Sequence, residues 1–159
     1  MPATPSSLNV AYTSTDWRGV ALSNFTLSPF VLDDTLLASV EGFIQGIKFP
    51  EDDPRRAQAF HSSAWDAKRA GEQAGRSAVY WSGQSIPFGS IEHHRLVARA
   101  VRARITQSLG LRTVLMSTKG MTLVHDTGHG PEPAVTSLPA AMFCATLAQL
   151  RDELLAEAR

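Results

Sequence analysis

The sequence predicts an α+β fold: a helix-rich single domain with a few short strands. Its 159 residues, 43% of them hydrophobic, suffice for one buried core and contain no linker, internal repeat or low-complexity run. Several helical stretches carry start and stop signals, whereas the extended segments are only a few residues long. Residues 1–9, rich in Pro, Ser, Thr and Ala, are expected to fray as a flexible N-terminus, with one domain over 10–159.

Taken in order, Val10–Thr13 is expected as a short strand, and Phe30–Leu37 as two extended pieces around the turn Asp33-Asp34. Ser39 is placed to cap a helix running to about Phe49, which Pro50 stops. Asp53-Pro54 opens a second helical segment, with proline at its first position, and Ser62 or Ser63 caps a third that ends near Gly71 or Gly75. Ala78–Gly89 reads as an aromatic-rich loop. The longest helix is expected from Ser90 to about Ser108, followed after Gly110 by a short one to Ser117. Met121–His125 alternates like a strand, Asp126–Ser137 is a long loop, and a last amphipathic helix has Pro139 in its first turn.

Composition excludes several classes of function. Fifteen basic residues balance fifteen acidic ones, whereas a general nucleic-acid binder carries basic excess. No run of 18 apolar residues offers a membrane span. The first nine residues lack the basic and apolar regions of a secretory signal. Cys144 is the single cysteine, so neither an internal disulfide nor a zinc pattern is expected. A cytoplasmic protein is the expectation. Only Lys48, Lys68 and Lys119 are lysines among the basic residues.

Lys48 belongs to a pattern. On the helix from Ser39, the residues Glu41, Gln45 and Lys48 are spaced i, i+4, i+7 and fall within about 60° of one another. Val40, Phe43, Ile44 and Ile47 flank this narrow polar stripe, leaving little solvated face. Gly42 and Gly46 share a further face, each costing about 1 kcal/mol relative to alanine. Close approach of another backbone or of a ligand would compensate. An ordinary exposed Glu–Lys pair is the alternative.

These residues carry a resemblance. Leu22-Ser23-Asn24-Phe25, then Ser28-Pro29-Phe30, then Ser39-Val40-Glu41 through Gln45-Gly46-Ile47-Lys48-Phe49 resemble the YbiA-like, or NADAR (NAD- and ADP-ribose-associated), family. Weaker similarity continues through Ala100–Arg104, Leu115–Thr118, Leu123–His125 and Leu147–Leu154. The resemblance implies an N-glycosidase that removes ADP-ribose from guanine bases, in nucleotides or nucleic acid. Alternatives are cleavage of phosphoribosylamino-pyrimidine intermediates of the riboflavin pathway, or a non-catalytic module that binds NAD-derived ligands. No cofactor and no metal are implied. One family branch carries a W-G-D-G-like motif that Thr127–Pro133 lacks, leaving Asp126 and Trp81 as stand-ins.

The residue types suit such chemistry. Breaking a ribosyl C–N bond passes through an oxocarbenium-like transition state, which a carboxylate such as Glu41 stabilises or supplies with activated water. Lys48 either keeps that carboxylate ionised and orients a ribose hydroxyl or phosphate, or attacks a ring-opened ribose when neutral. The candidate catalytic residues are therefore Glu41, Lys48 and Asp126. Candidate substrate-binding residues are Ser23, Asn24, Phe25, Gln45, Trp81, His94, Arg104 and His125. Asn24 either closes a turn or reads ribose hydroxyls or a base edge, and Phe25 either packs or stacks. Tyr80-Trp81 offers a second stacking surface, whereas Trp17 and Trp65 are expected to be packing residues.

No acidic residue occurs from His93 to His125. Arg95, Arg99 and Arg102 fall on the far face of the long helix, a solvated surface. Arg104 and His94 fall on its apolar arc, where an unpaired guanidinium is costly. Arg104 is thus expected either to pair with a carboxylate such as Glu41 or to face a ligand pyrophosphate. His125 or Asp126 is expected to close the pocket beside the glycine-containing loop.

Overall fold

The structure, a computed structural model, describes residues 6–159. The first strand, β1 (Ser7–Asn9), pairs in parallel with β6 (Thr122–Val124), Leu8 facing Leu123. The strand expected at Val10–Thr13 therefore lies three residues earlier, inside the segment expected to fray; residues 1–5 lie outside the described ones. The cause is a long-range partner: Leu8 is buried, and Val10 N–H closes the ladder on the Val124 carbonyl at 2.8 Å.

Asp16 caps a short helix that the sequence patterns did not suggest, α1 (Trp17–Leu22). The expected pair of extended pieces forms a hairpin, β2 (Phe30–Leu32) with β3 (Thr35–Leu37). Asp33 and Asp34 both adopt positive φ, the geometry that a two-residue hairpin turn requires.

Helix α2 (Val40–Gly46) begins as expected at Ser39, whose Oγ accepts from Gly42 N–H at 2.9 Å. It ends before Phe49, in turns that lead to Pro50. Helices α3 (Pro54–Phe60) and α4 (Ala64–Ala70) follow. The glycine face of α2 packs closely on α3 and the residues that follow it. A Cβ on Gly42 would lie 2.5 Å from the Ser62 carbonyl and 2.6 Å from that of Ala59, and one on Gly46 would collide with the Phe60 ring. The cost of the glycines is offset by this close packing.

The expected aromatic loop is a second hairpin, β4 (Ala78–Trp81) with β5 (Gln84–Pro87). Ser82 and Gly83 supply its positive-φ turn, and alternation of buried Val79 and Trp81 gives it an inner face. Helix α5 (Ile91–Thr106) runs through the middle of the molecule, packed against α2, β2, α6 (Leu109–Met116) and α7 (Ala140–Glu157). Ser108, rather than Gly110, starts α6, its Oγ accepting from Leu111 N–H. Val97, Ala100, Val101 and Ile105 of α5 share one core with Phe43 of α2, Ile47 just after it, and Leu147 and Leu150 of α7. No described helix is long and apolar enough to cross a membrane.

Candidate functional site

A cavity of about 620 Å³ opens between α2, the segment after α1, α4 and the loop 126–137. Its floor is the polar stripe of α2. Gln45 donates from Nε2 to Glu41 Oε1 at 2.7 Å and accepts Lys48 Nζ on Oε1 at 2.8 Å. Carboxylate and amine are thus linked through an amide rather than paired directly. Gly71 makes room for this arrangement, since a Cβ there would strike the Gln45 amide. Glu41 and Gln45 are buried, and Lys48 is half-buried with its amine 5.9 Å from the Phe88 ring centroid. Burial pushes the Lys48 ammonium down to about 8. Glu41 opposes that shift, whereas Arg76 and Lys68 add to it by like-charge repulsion.

The segment Ser23-Asn24-Phe25 forms the adjoining wall and is held at several points. Ser23 Oγ accepts from Phe25 N–H, the Asn24 carbonyl accepts from Glu41 N–H at 3.0 Å, and the Phe25 carbonyl accepts from Ala64 N–H at 3.0 Å. Asn24 Oδ1 is buried and has no hydrogen-bond partner among the described residues. An orphan acceptor on a cavity wall suits a hydroxyl or N–H of a ligand. Phe25 is stacked on Tyr12, with centroids 4.8 Å apart.

The opposite wall is the loop 126–137. Asn9 and Thr13 hold its start through hydrogen bonds with the Asp126 backbone, and Glu132 accepts from Ala140 N–H at the head of α7. Asp126 lies on the rim with Oδ1 accepting from Gly128 N–H, so part of its carboxylate shapes the turn. His125 lines the cavity with Nδ1 2.9 Å from the Val10 carbonyl.

Three of the expected substrate contacts lie outside the cavity. Arg104 is 1% exposed and donates to the carbonyls of Ala21 at 2.6 Å and Leu22 at 3.3 Å. Neither a carboxylate nor the cavity meets it. Its two partners are last-turn carbonyls of α1, which lack intrahelical donors and favour a cation. Burial alone pushes its guanidinium down to about 10. Trp81 is buried against Phe43 and Phe60, its Nε1 donating to Asp33 at 2.9 Å, because the hairpin turns it inward. His94 meets the Thr136 carbonyl at 2.9 Å and ties down the loop from behind.

Other side chains supply what these three do not. Tyr12, Trp65, Lys68, Arg76, Phe88 and His129 all line the cavity. Trp65, expected as packing, is 44% exposed. Lys68 and Arg76 form no ion pair or hydrogen bond through their side chains among the described residues. By contrast, Arg99 and Arg102 of the basic stretch are paired with Asp33 and Glu153. The scarcity of lysine was the available signal for Lys68; Tyr12, Arg76 and His129 come from distant loops with no local pattern. His93 sits behind the site with Nδ1 accepting from Gly89 N–H, and burial pushes it down to about 4, so the ring is neutral near pH 7.

This architecture is that of the YbiA fold. The NMR structure of the E. coli protein YbiA matches with a TM-score of 0.66, covering 98% of this chain and 89% of that one at 22% identity. Closer relatives define the family. The model of bacteriophage protein GP30.3 matches residues 16–152. An uncharacterized 17.1 kDa protein of the Gp30–rIII intergenic region of Enterobacteria phage T4 is 33% identical over 144 residues, 87% of this chain and 93% of that one. The chain belongs to the bacteriophage GP30.3 family.

Proposed function

We propose that the protein is an N-glycosidase that hydrolyses a ribosyl C–N bond, with ADP-ribose attached to guanine as the preferred substrate. The observation that carries this reading is the Glu41–Gln45–Lys48 chain on the floor of a cavity whose wall also holds two unpaired cations. Volumes of several hundred Å³ suit a nucleotide-sized ligand.

In this reading the C–N bond breaks with its electron pair leaving on the base nitrogen, which takes up a proton. The ribosyl carbon becomes oxocarbenium-like, and Glu41 stabilises it and accepts a proton from the attacking water. Gln45 fixes the carboxylate by holding Oε1. Lys48 orients a ribose hydroxyl or phosphate, Asn24 Oδ1 accepts from a ligand hydroxyl or N–H, and Lys68 and Arg76 bind the pyrophosphate. Asp126 is assigned to the rim, where it fixes the turn, and His125 closes that side.

A second role for Lys48 draws on its amine being held at about 8. A neutral amine attacks C1 of the ring-opened ribosyl group and displaces the base nitrogen, which leaves with the electron pair of the C–N bond and a proton; the resulting Schiff base is then hydrolysed by water to free the lysine and the ribose. The test of the overall reading is direct. Incubation with ADP-ribosylated guanosine should release free ADP-ribose, and Glu41→Gln should lower the rate by about 100-fold or more. Equal, negligible release by both proteins, with ADP-ribose still protecting against heat, would establish a binding module instead.

A further inference from the structure

Four aromatic side chains gather at one side of the cavity, and the catalytic reading uses none of their open surface. Tyr12 and Phe25 are stacked face to face, so each covers one face of the other. Trp65 stands across this stack, 5.6 Å from Tyr12 at 77° and 5.2 Å from Phe25 at 81°. His129 completes the group, with Nε2 2.7 Å from the Tyr12 hydroxyl and its ring perpendicular to the indole. All four line the cavity.

Packing does not account for Trp65. The residue remains 44% exposed, although three rings brace its indole. The backbone before it is strained: Ala64 has a φ of 50°, a left-handed conformation that a non-glycine residue rarely adopts. The Ala64 N–H to Phe25 carbonyl bond holds that conformation and so fixes the start of α4 against the Ser23–Phe25 wall. A large flat side chain is therefore held rigidly and left partly open beside a polar floor. Lys68, on the same helix one turn further, and Arg76 place unpaired positive charge on the same cavity.

A planar base with a phosphate attached matches this combination. The indole offers a sequence-tolerant stacking surface, and the two cations offer the anion site. We propose that Trp65, braced by Tyr12, Phe25 and His129, is a nucleobase subsite that takes the base of a nucleotide whose phosphates lie toward Lys68 and Arg76. The proposal rests on the cavity being a nucleotide site and extends that reading to the base. It moves the stacking role from Phe25, whose one face Tyr12 already covers, and from Trp81, which is in the core. The base has two possible sources, the adenine of the ADP-ribosyl group or the guanine that leaves.

Equilibrium binding separates these sources without requiring turnover. The probes are ADP-ribose, ribose 5-phosphate and guanosine monophosphate, titrated into wild type, Trp65→Ala and Trp65→Phe. Loss of about tenfold or more in ADP-ribose affinity with Trp65→Ala, retention with Trp65→Phe, and unchanged ribose 5-phosphate binding would place adenine on the shelf. The same pattern for guanosine monophosphate, with ADP-ribose unaffected, would place the leaving base there. Equal weakening of ribose 5-phosphate and the base-bearing probes would make Trp65 a mere packing residue and overturn the proposal. Unchanged binding of every probe, or no binding of any by wild type, would overturn it too. Because the readout is affinity, failure of ADP-ribosylguanosine to be cleaved would remove the glycosidase reading while leaving this result intact.

Discussion

Helices α2 and α5 each carry charged side chains into the interior, and they dispose of them differently. Glu41 and Gln45 of α2 and Lys48 in the turn that follows it are linked by hydrogen bonds and face open space, with Lys48 charged against the pull of burial. Arg104 of α5 is more deeply buried, yet Nη1 and Nη2 meet two backbone carbonyls, Nε has no partner among the described residues, and no cavity reaches it. One intrusion leaves chemical capacity for a ligand; the other is consumed by the protein. The difference teaches that position on an apolar arc marks an unusual residue without saying what it is for. The identity of its partners decides. The carbonyls that Arg104 holds are followed directly in the chain by Ser23-Asn24-Phe25.

The largest effect that would sharpen this contrast is at Lys48. Lys48→Met should lower the rate of ADP-ribose release by about 100-fold or more without loss of fold. Its pH dependence then separates the two roles. An amine that titrates at about 8 is increasingly neutral above that pH. An orienting ammonium therefore gives a rate that falls as pH rises through about 8, and Lys48→Arg keeps working at pH values above it. That is the expected profile. A rate that rises through about 8, with an inactive Lys48→Arg that still binds ADP-ribose, would assign the lysine to Schiff-base chemistry.

Arg104→Met comes next and should act on stability. Methionine fills much of the volume but leaves the Ala21 and Leu22 carbonyls without donors, a cost of about 2–3 kcal/mol. Denaturant unfolding would register it, and the contrast breaks if stability is unchanged. The smallest effect is expected at Trp81. Trp81→Phe keeps an aromatic ring against Phe43 and Phe60 but loses the bond to Asp33, for about 1 kcal/mol. Its affinity for ADP-ribose should match wild type; a selective loss would return Trp81 to the site.

Much of this organisation was legible because it is local. Ser39, the Asp53-Pro54 pair and Ser90 cap helices through bonds made within a few residues, so their signals survive in the sequence. The polar stripe of α2 was equally legible, since helical periodicity alone brings Glu41, Gln45 and Lys48 together. The aromatic shelf was not. Tyr12, Phe25, Trp65 and His129 come from four separate segments, and only the packed chain joins them. Likewise β1 depends on a partner more than a hundred residues away, as Leu8 faces Leu123. The β4–β5 hairpin was within reach: Ser82-Gly83 between Tyr80-Trp81 and Ile86 is a two-residue turn signal. A loop there would leave Trp81 free to reach the site, whereas the hairpin turns it into the core.

The most direct test of the contrast is the single-turnover release of ADP-ribose by Glu41→Gln and Arg104→Met, each expressed per folded molecule. Glu41→Gln is expected to retain the wild-type unfolding transition and to lose about 100-fold or more in rate. Arg104→Met should unfold more easily yet keep its rate within about threefold. An active Glu41→Gln, or a stable Arg104→Met that has lost catalysis, would contradict it.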